Sequence, residues 1–194
     1  MPPFLTGDDD ADELLFADPL ALLIGMVLDQ QIPMERAFRA PFELRERLGG
    51  TLDPADLAAM DPDALTEIFQ QKPALHRFPR SMAARVQEVC GVVVGQNQGV
   101  ASNLWESATS GEELLATLRT LPGFGEQKAR IFAALLAKRL GVTPPGWQEV
   151  TSPYGETGVF LSVADIDSPE AFKRVRAAKQ QAKAEARARS TTSG

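Results

Sequence analysis

The chain alternates between apolar stretches with helical spacing and short breaks that contain proline, glycine or aspartate. Asp-Pro pairs at 18–19, 53–54 and 61–62 each place a side-chain cap before a proline at the first helical position. No stretch alternates apolar and polar residues strongly enough to indicate a sheet, so the predicted fold class is all-α. The other predicted helices begin at Pro33 and at Pro41, cover 79–94, surround Trp105 and start again at Asp167.

Two further predicted helices enclose the most informative segment, the five residues from Leu121 to Gly125. The first helix covers 110–120, with Ser110 as its cap and Glu113 completing a capping box. The second covers 126–140 and has an apolar face at helical spacing. Two glycines let the backbone turn sharply, and a helix N-terminus follows, whose unpaired N–H groups attract an anion such as a phosphate.

The sequence Leu-Pro-Gly-Phe-Gly resembles the helix-hairpin-helix motif, which holds a DNA backbone phosphate. An ordinary turn between two helices, with glycine at a helix end, is the alternative interpretation. Two more blocks, 22–33 and 76–85, resemble segments of the HhH-GPD DNA glycosylases in order and spacing. The resemblance covers about 19–142, and it implies two helical lobes with a DNA groove between them and the hairpin at the edge of that groove.

The resemblance also implies which residues contact DNA. A glutamine of the first block, Gln30 or Gln31, would fill the hole that a flipped base leaves, although a polar helix end explains the pair equally well. His76 and Arg80 would contact the backbone or a base edge, and a structural histidine is the alternative for His76. The hairpin and the helix after it would supply the remaining DNA contacts: Leu121, Gly123, Phe124, Gly125, Gln127 and Lys128.

Base excision breaks the glycosidic bond of a flipped nucleotide, and a nearby carboxylate stabilises the transition state or orients water. The family places an aspartate about 25 residues after the leucine of the hairpin, but that count here ends at Pro145-Gly146-Trp147. The nearest carboxylate, Glu149, is therefore the catalytic candidate, with a plain surface residue as the alternative. Trp147 and Tyr154 could stack on a nucleobase, but we interpret them as anchors of this loop.

Bifunctional members use a lysine in the second hairpin helix as an amine nucleophile. Gln127 occupies the matching position here, and Lys128 lies about 100° further around the helix, where it is expected to meet phosphate or solvent. The resemblance therefore implies a monofunctional glycosylase without strand-cleaving lyase activity, in which Lys128 is dispensable.

Composition limits the cofactors. One cysteine, Cys90, lies in an apolar helical pattern, so it is predicted to be a buried core residue, and a cysteine-ligated iron–sulfur cluster is excluded. One histidine cannot build a metal site, and no cofactor is predicted. In the family the hairpin often holds a monovalent cation, which here would take carbonyl oxygens of Thr120, Leu121 and Gly123.

Charge is distributed unevenly along the chain. The net charge is −6, but residues 168–194 carry seven basic and two acidic side chains, which leaves −11 on the rest. This basic segment is predicted to be a helix that either contacts DNA or is simply solvated. The predicted organisation is an acidic segment 1–17, a helical domain 18–142, an irregular loop 143–167 with a short extended piece near 160–166, and the basic helix 168–194.

These observations predict a base-excision repair protein that binds duplex DNA and, if active, releases a damaged or mispaired base. The first alternative is a DNA-lesion or DNA-structure binding protein of the same fold without catalysis. The second is a helical protein-interaction module, which the acidic body favours and the hairpin disfavours. No apolar run is long enough to cross a membrane, so we expect a cytoplasmic, nucleoid-associated monomer.

Overall fold

The computed structural model describes residues 4–192, with side chains up to residue 185 and at residue 188. Arg187 and Arg189 of the predicted basic helix therefore have side chains outside the described set. Every helical segment of this region is an α-helix except a 3₁₀ turn at Val163–Asp165. The α-helices are α1 Asp9–Ala17, α2 Pro19–Leu28, α3 Met34–Arg47, α4 Pro54–Ala59, α5 Pro62–Gln70, α6 Pro79–Gln96, α7 Asn103–Glu106, α8 Gly111–Arg119, α9 Glu126–Leu140, α10 Trp147–Thr151 and α11 Pro169–Thr192.

The described part of the chain contains no strand, which confirms the all-α class. The aspartates of the three Asp-Pro pairs cap α2, α4 and α5 by accepting backbone N–H bonds, as predicted. Pro41 differs from the prediction, because it lies inside α3 instead of starting a new helix. The buried face of α3, which includes Phe38 and Leu44 on either side of Pro41, keeps the helix continuous through tertiary packing.

Helical structure also forms in the acidic N-terminal segment, for which no helix was predicted, and in the loop and the extended piece predicted within 143–167. The acidic N-terminal segment forms α1, in which Leu14 and Leu15 are buried and Asp8 is the cap. The predicted irregular loop contains α10, and the predicted extended piece contains the 3₁₀ turn, in which Ser162 and Asp165 form a capping box. These short helices depend on caps and on burial of a few residues, which sequence periodicity does not reveal.

The helices form two packed groups that share one continuous apolar core. Helices α1 to α6 pack mainly on one another. Helices α8 and α10 pack on α9, and α7 packs on α8. Cys90 of α6 is fully buried, as predicted, and burial raises the pKa of its thiol to about 12. The two groups correspond to the predicted lobes, and the turn between α2 and α3 faces the start of α9 across the space between them.

The basic helix α11 is attached to the body along its first half. Val175 is fully buried, Phe172 meets the ring of Phe4 edge-on at 6.5 Å, and Arg176 lies 3.7 Å from the Glu35 carboxylate. Deleting 168–194 would therefore remove core contacts as well as charge. Among residues 4–192, no helix combines the length and the apolarity that a membrane crossing requires.

Candidate functional site

A pocket of about 630 Å³ opens between the two groups of helices, and we call it the cleft pocket. Its walls come from the α2–α3 turn, the first turns of α9, the loop after α10 and the middle of α11. The volume falls within the range of roughly 300–1,000 Å³ that small-molecule sites occupy. The lining residues are Met26, Asp29, Gln30, Gln31, Ile32, Gln127, Lys128, Ile131, Pro153, Tyr154, Leu161, Ala178, Lys179 and Ala182.

His76 fixes the turn that carries the two glutamines. Its Nε2 lies 2.9 Å from the carbonyl oxygen of Gln30, and its Nδ1 accepts a hydrogen bond from the N–H of Phe78 at 3.0 Å. These bonds assign the proton to Nε2, and burial lowers the pKa of the imidazole. His76 is only 1% exposed, so the predicted DNA contact is corrected to a structural role.

The side chains of Gln30 and Gln31 differ in exposure and in hydrogen bonding. The Gln30 amide is half-buried and donates to the carbonyl oxygen of Val27 at 2.9 Å. Gln31 is exposed at the mouth of the cleft pocket, and within the described residues its amide has no hydrogen-bond partner. Its φ of +56° is a left-handed conformation that few non-glycine residues adopt and that often marks a functional position.

Lys128 lies inside the cleft pocket and joins the two groups of helices. Its Nζ donates to the carbonyl oxygens of Met26 at 2.9 Å and Val27 at 3.2 Å, at the C-terminal end of α2. Burial is the main reason that the pKa of its ammonium falls to about 8, although Asp29 opposes the shift. Lys128 was expected to meet phosphate or solvent. Its side chain is instead half-buried in the cleft pocket.

Tyr154 and Gln127 meet at the rim of the same pocket. The Gln127 amide donates to the Tyr154 hydroxyl at 2.9 Å, which ties the loop after α10 to the start of α9. Tyr154 was interpreted only as an anchor, but its position also gives the cleft pocket an aromatic wall. Trp147, the other aromatic residue of this loop, does not line the pocket and stays half-buried beside Gly155.

The hairpin offers its backbone and not its large side chains to a ligand. Leu121 and Phe124 are buried in the core, which removes their side chains from direct DNA contact. Gly123 and Gly125 are exposed, and Gly123 has a φ of +82°. Gly125 caps α9 without any side-chain partner, so the first N–H groups of that helix are available to an anion.

The carbonyl groups near the hairpin were predicted to hold a monovalent cation. The Leu121 carbonyl oxygen accepts a hydrogen bond from the Phe124 N–H at 3.0 Å, and the Thr120 N–H bonds back to Thr117. Cation binding at Thr120, Leu121 and Gly123 stays a prediction.

Arg85 is a cation beside the hairpin that the sequence did not single out. It lies on α6, and its guanidinium occupies the space that a Cβ at Gly123 would fill. Its Nε is 3.4 Å from the Glu88 carboxylate, and its charge also acts on Lys128. A basic side chain directly over Gly123 places a positive charge where the sequence predicted contact with a phosphate.

Glu149 and Arg80 lie apart from the cleft pocket. Glu149 is exposed on α10 and does not contribute to the lining, which gives no support to its role as the catalytic carboxylate. Arg80 is largely exposed and lies 3.3 Å from Asp63, an ion pair that solvent weakens. In contrast, Asp29 is a carboxylate of the pocket lining itself, and it directly precedes Gln30 in a block the sequence had already marked.

Comparison with known protein families identifies the superfamily of the chain. The family model of the HhH-GPD superfamily base excision DNA repair proteins matches residues 24–193. The chain belongs to the HhH-GPD superfamily. No curated protein and no solved structure matches it significantly. The match extends through the cleft pocket and into α11, beyond the 19–142 over which the sequence motifs showed the resemblance.

This HhH-GPD protein carries a second, basic pocket next to the first. The basic pocket has a volume of about 590 Å³ and shares Asp29, Gln31, Ile32 and Lys179 with the cleft pocket. Its cations come from α11 and from the loop before α6: Arg77, Arg176, Lys179 and Lys183. Positive charge beside the cleft offsets the acidic net charge at the place where a DNA backbone would pass.

Removing the charge of Glu126 is expected to tighten DNA binding. Its carboxylate lies 3.1 Å from Arg119 and 2.7 Å from Arg130 at the start of α9, where it would compete with a bound phosphate. We expect Glu126→Gln to increase duplex affinity several-fold and to steepen the salt dependence by roughly one released counterion. Fluorescence anisotropy at several salt concentrations measures both quantities. Glu112→Gln, an exposed control of equal charge on α8, should change little; an equal gain there would assign the effect to net charge alone.

Proposed function

We propose that this HhH-GPD protein is a monofunctional DNA glycosylase that flips a damaged or mispaired base into the cleft pocket. The observation that carries the proposal is the pocket lining, in which Gln30 and Gln31 of the first sequence block meet Gln127 and Lys128 of the hairpin helix. The second block, 76–85, contributes His76, which binds the Gln30 carbonyl oxygen and so holds the turn that lines the pocket. Three segments distant in sequence thus act on one site beside a phosphate-binding turn.

The composition of the pocket suits a nucleobase. Met26, Ile32, Ile131 and Leu161 supply apolar surface, and Tyr154 supplies an aromatic one. Amide and ammonium groups at the rim provide hydrogen-bond donors and acceptors for base edges. A flipped base leaves a hole in the duplex, and the exposed amide of Gln31 at the pocket mouth is placed to fill it.

The contacts of Lys128 favour base release without strand cleavage. At neutral pH an ammonium with a pKa of about 8 is mostly protonated, and its Nζ is occupied by two carbonyl oxygens of α2. A protonated amine is not a nucleophile, so imine formation with the sugar is disfavoured. Hydrolysis then requires water and no cofactor. We also propose that the protein acts as a monomer, and DNA as its substrate would place it at the nucleoid.

A panel of lesion-bearing and mismatched duplexes tests the proposal, with abasic-site formation and bound fraction measured on the same samples. We expect abasic product on at least one lesion and no adduct on borohydride trapping. Gln31→Gly keeps the left-handed backbone without strain but removes the amide, so it should slow release from paired duplex more than from single strands. Abasic product on no lesion would refute the glycosylase, and a trapped adduct would refute the monofunctional mechanism.

A lesion-binding protein without catalysis is the second candidate function. The observation that favours it is the exposed position of Glu149 outside the cleft pocket, at the segment where the family has its aspartate. The same panel separates the two functions. Lesion-selective binding without abasic product would support the binding protein, and base release would exclude it.

A further inference from the structure

We propose that Asp29 is the catalytic carboxylate of this pocket and that it activates the water molecule that displaces the base. The inference rests on the proposed glycosylase function and assigns the chemistry that Glu149 does not supply. Its basis is the position of Asp29 in the pocket lining and the charged groups around it.

Asp29 occupies the boundary of the two pockets. It follows the last residue of α2, where its backbone N–H bonds to the carbonyl oxygen of Gly25 at 3.0 Å, and its side chain lines both the cleft pocket and the basic pocket. A nucleotide with its base in the cleft pocket and a phosphate in the basic pocket would bring its sugar to this boundary. The carboxylate is then beside the carbon at which the glycosidic bond breaks.

The Asp29 carboxylate is not used to stabilise the fold. Asp18, Asp53 and Asp61 cap helices by accepting backbone N–H bonds, and Asp165 is held by Lys138 at 2.6 Å. Within the described residues, the carboxylate of Asp29 accepts no hydrogen bond and has no ion-pair partner within 4.0 Å. Asp29 is half-buried, and a carboxylate that is partly withdrawn from water without a structural partner costs stability and is typically retained for function.

Charged groups from three helices surround Asp29. Lys128 of α9 and Lys179 of α11 favour its ionised form, and Glu35 of α3 disfavours it. Burial outweighs the lysines and raises the pKa of the carboxyl above its ordinary value. Lys128 is itself faced by Arg85 of α6, and its charge also acts on His76. A carboxylate with a raised pKa is a better proton acceptor than an exposed one, as a general base requires.

The reaction that this arrangement supports is a simple hydrolysis. The Asp29 carboxylate takes a proton from water as the water oxygen bonds to C1′ of the sugar. The C1′–N bond breaks, and its electron pair leaves with the base, which takes up one proton from solvent. Asp29 then releases its proton to solvent. The products are the free base and an abasic sugar with a hydroxyl group at C1′, and no oxidant or reductant takes part.

The test compares Asp29→Asn with the wild-type protein in single-turnover base release and in duplex affinity. The substrate is a lesion-bearing duplex that the wild-type protein processes. We expect the rate to fall about a hundredfold or more, which is typical for loss of a general base. The duplex affinity should be retained or rise, because a negative charge is removed beside DNA. Asp10→Asn, an exposed residue of α1 outside both pockets, serves as the matched control.

The pH dependence of the wild-type rate gives an independent test if Asp29→Asn fails to fold. General-base catalysis requires the ionised carboxylate, so the rate should rise with pH through an apparent pKa above the ordinary range of an aspartate. Asp29→Asn should lack this limb. A wild-type rate that is flat across the acid range would overturn the assignment of Asp29.

The outcomes separate this inference from the proposed function. Base release by the wild-type protein that persists at full rate in folded Asp29→Asn overturns the role of Asp29 and leaves the glycosylase standing. A loss of rate in Glu149→Gln, with none in Asp29→Asn, returns the catalytic role to Glu149. The absence of base release by the wild-type protein on every duplex of the panel overturns both the glycosylase and the catalytic role of Asp29.

Discussion

Phe132→Ala is expected to lower the free energy of unfolding by about 3–5 kcal/mol, the range for truncation of a fully buried aromatic residue. The Phe132 ring is inaccessible to solvent in the middle of α9. It meets the ring of Trp105 edge-on at 5.6 Å and that of Phe124 at 5.9 Å. Because Phe124 belongs to the hairpin, the cavity also removes support from the turn at Leu121–Gly125. Urea denaturation with an unchanged slope measures the loss.

Ile131→Ala is the matched control for that experiment. Ile131 is the neighbouring residue of α9, but it is half-buried and faces the cleft pocket. We expect a smaller loss of stability and a selective loss of base binding. Equal destabilisation by the two substitutions would contradict the assignment of Phe132 to the core and Ile131 to the pocket wall.

Gly123→Val is expected to weaken duplex binding about tenfold or more on every sequence, since phosphate contacts do not read bases. A β-branched residue at a φ of +82° costs on the order of 1–3 kcal/mol, and its side chain would also displace the guanidinium of Arg85. The substitution therefore damages the turn and its cation together. Anisotropy titrations on a folded variant measure the effect.

Gly125→Ala separates backbone geometry from simple bulk. Gly125 has a φ of −80°, which any residue adopts, and a Cβ there meets no atom within 4 Å. We expect near-normal stability and only a small change in affinity. If Gly125→Ala weakened binding as much as Gly123→Val, contact of the DNA with Gly125 itself would replace the strained turn as the explanation.

Gly123 and Gly125 illustrate which features of the hairpin could be predicted from the sequence. The repeated glycine predicted a tight turn before a helix, and the helix boundaries followed from caps and apolar spacing, which are local properties. From sequence alone both glycines are expected to matter equally. The structure distinguishes them because Arg85 comes from α6, about forty residues earlier in the chain, and only tertiary packing places it over Gly123.

The carboxylate that we propose for catalysis was harder to predict for the same reason. Counting residues from the hairpin led to Glu149, because a count assumes that the following loop keeps the family's path. The structure forms α10 there and leaves Glu149 exposed, while Asp29 reaches the pocket from the opposite lobe. The sequence left DNA contact and a structural role open for His76, because polarity alone does not distinguish an exposed ring from one that fixes a turn, and its burial selects the structural role.

The hydrogen bonds from Lys128 to α2 also have a consequence for how a duplex could fit the cleft. They join the floor of the cleft, so the two sides cannot separate freely around a straight duplex. A duplex that lay across this floor would have to bend to bring a base to the pocket, at a cost on the order of 1–6 kcal/mol for a short site. Damaged or mismatched steps stack weakly and bend more easily. A closed floor would therefore let the protein find defects by their stiffness, before any base enters the pocket.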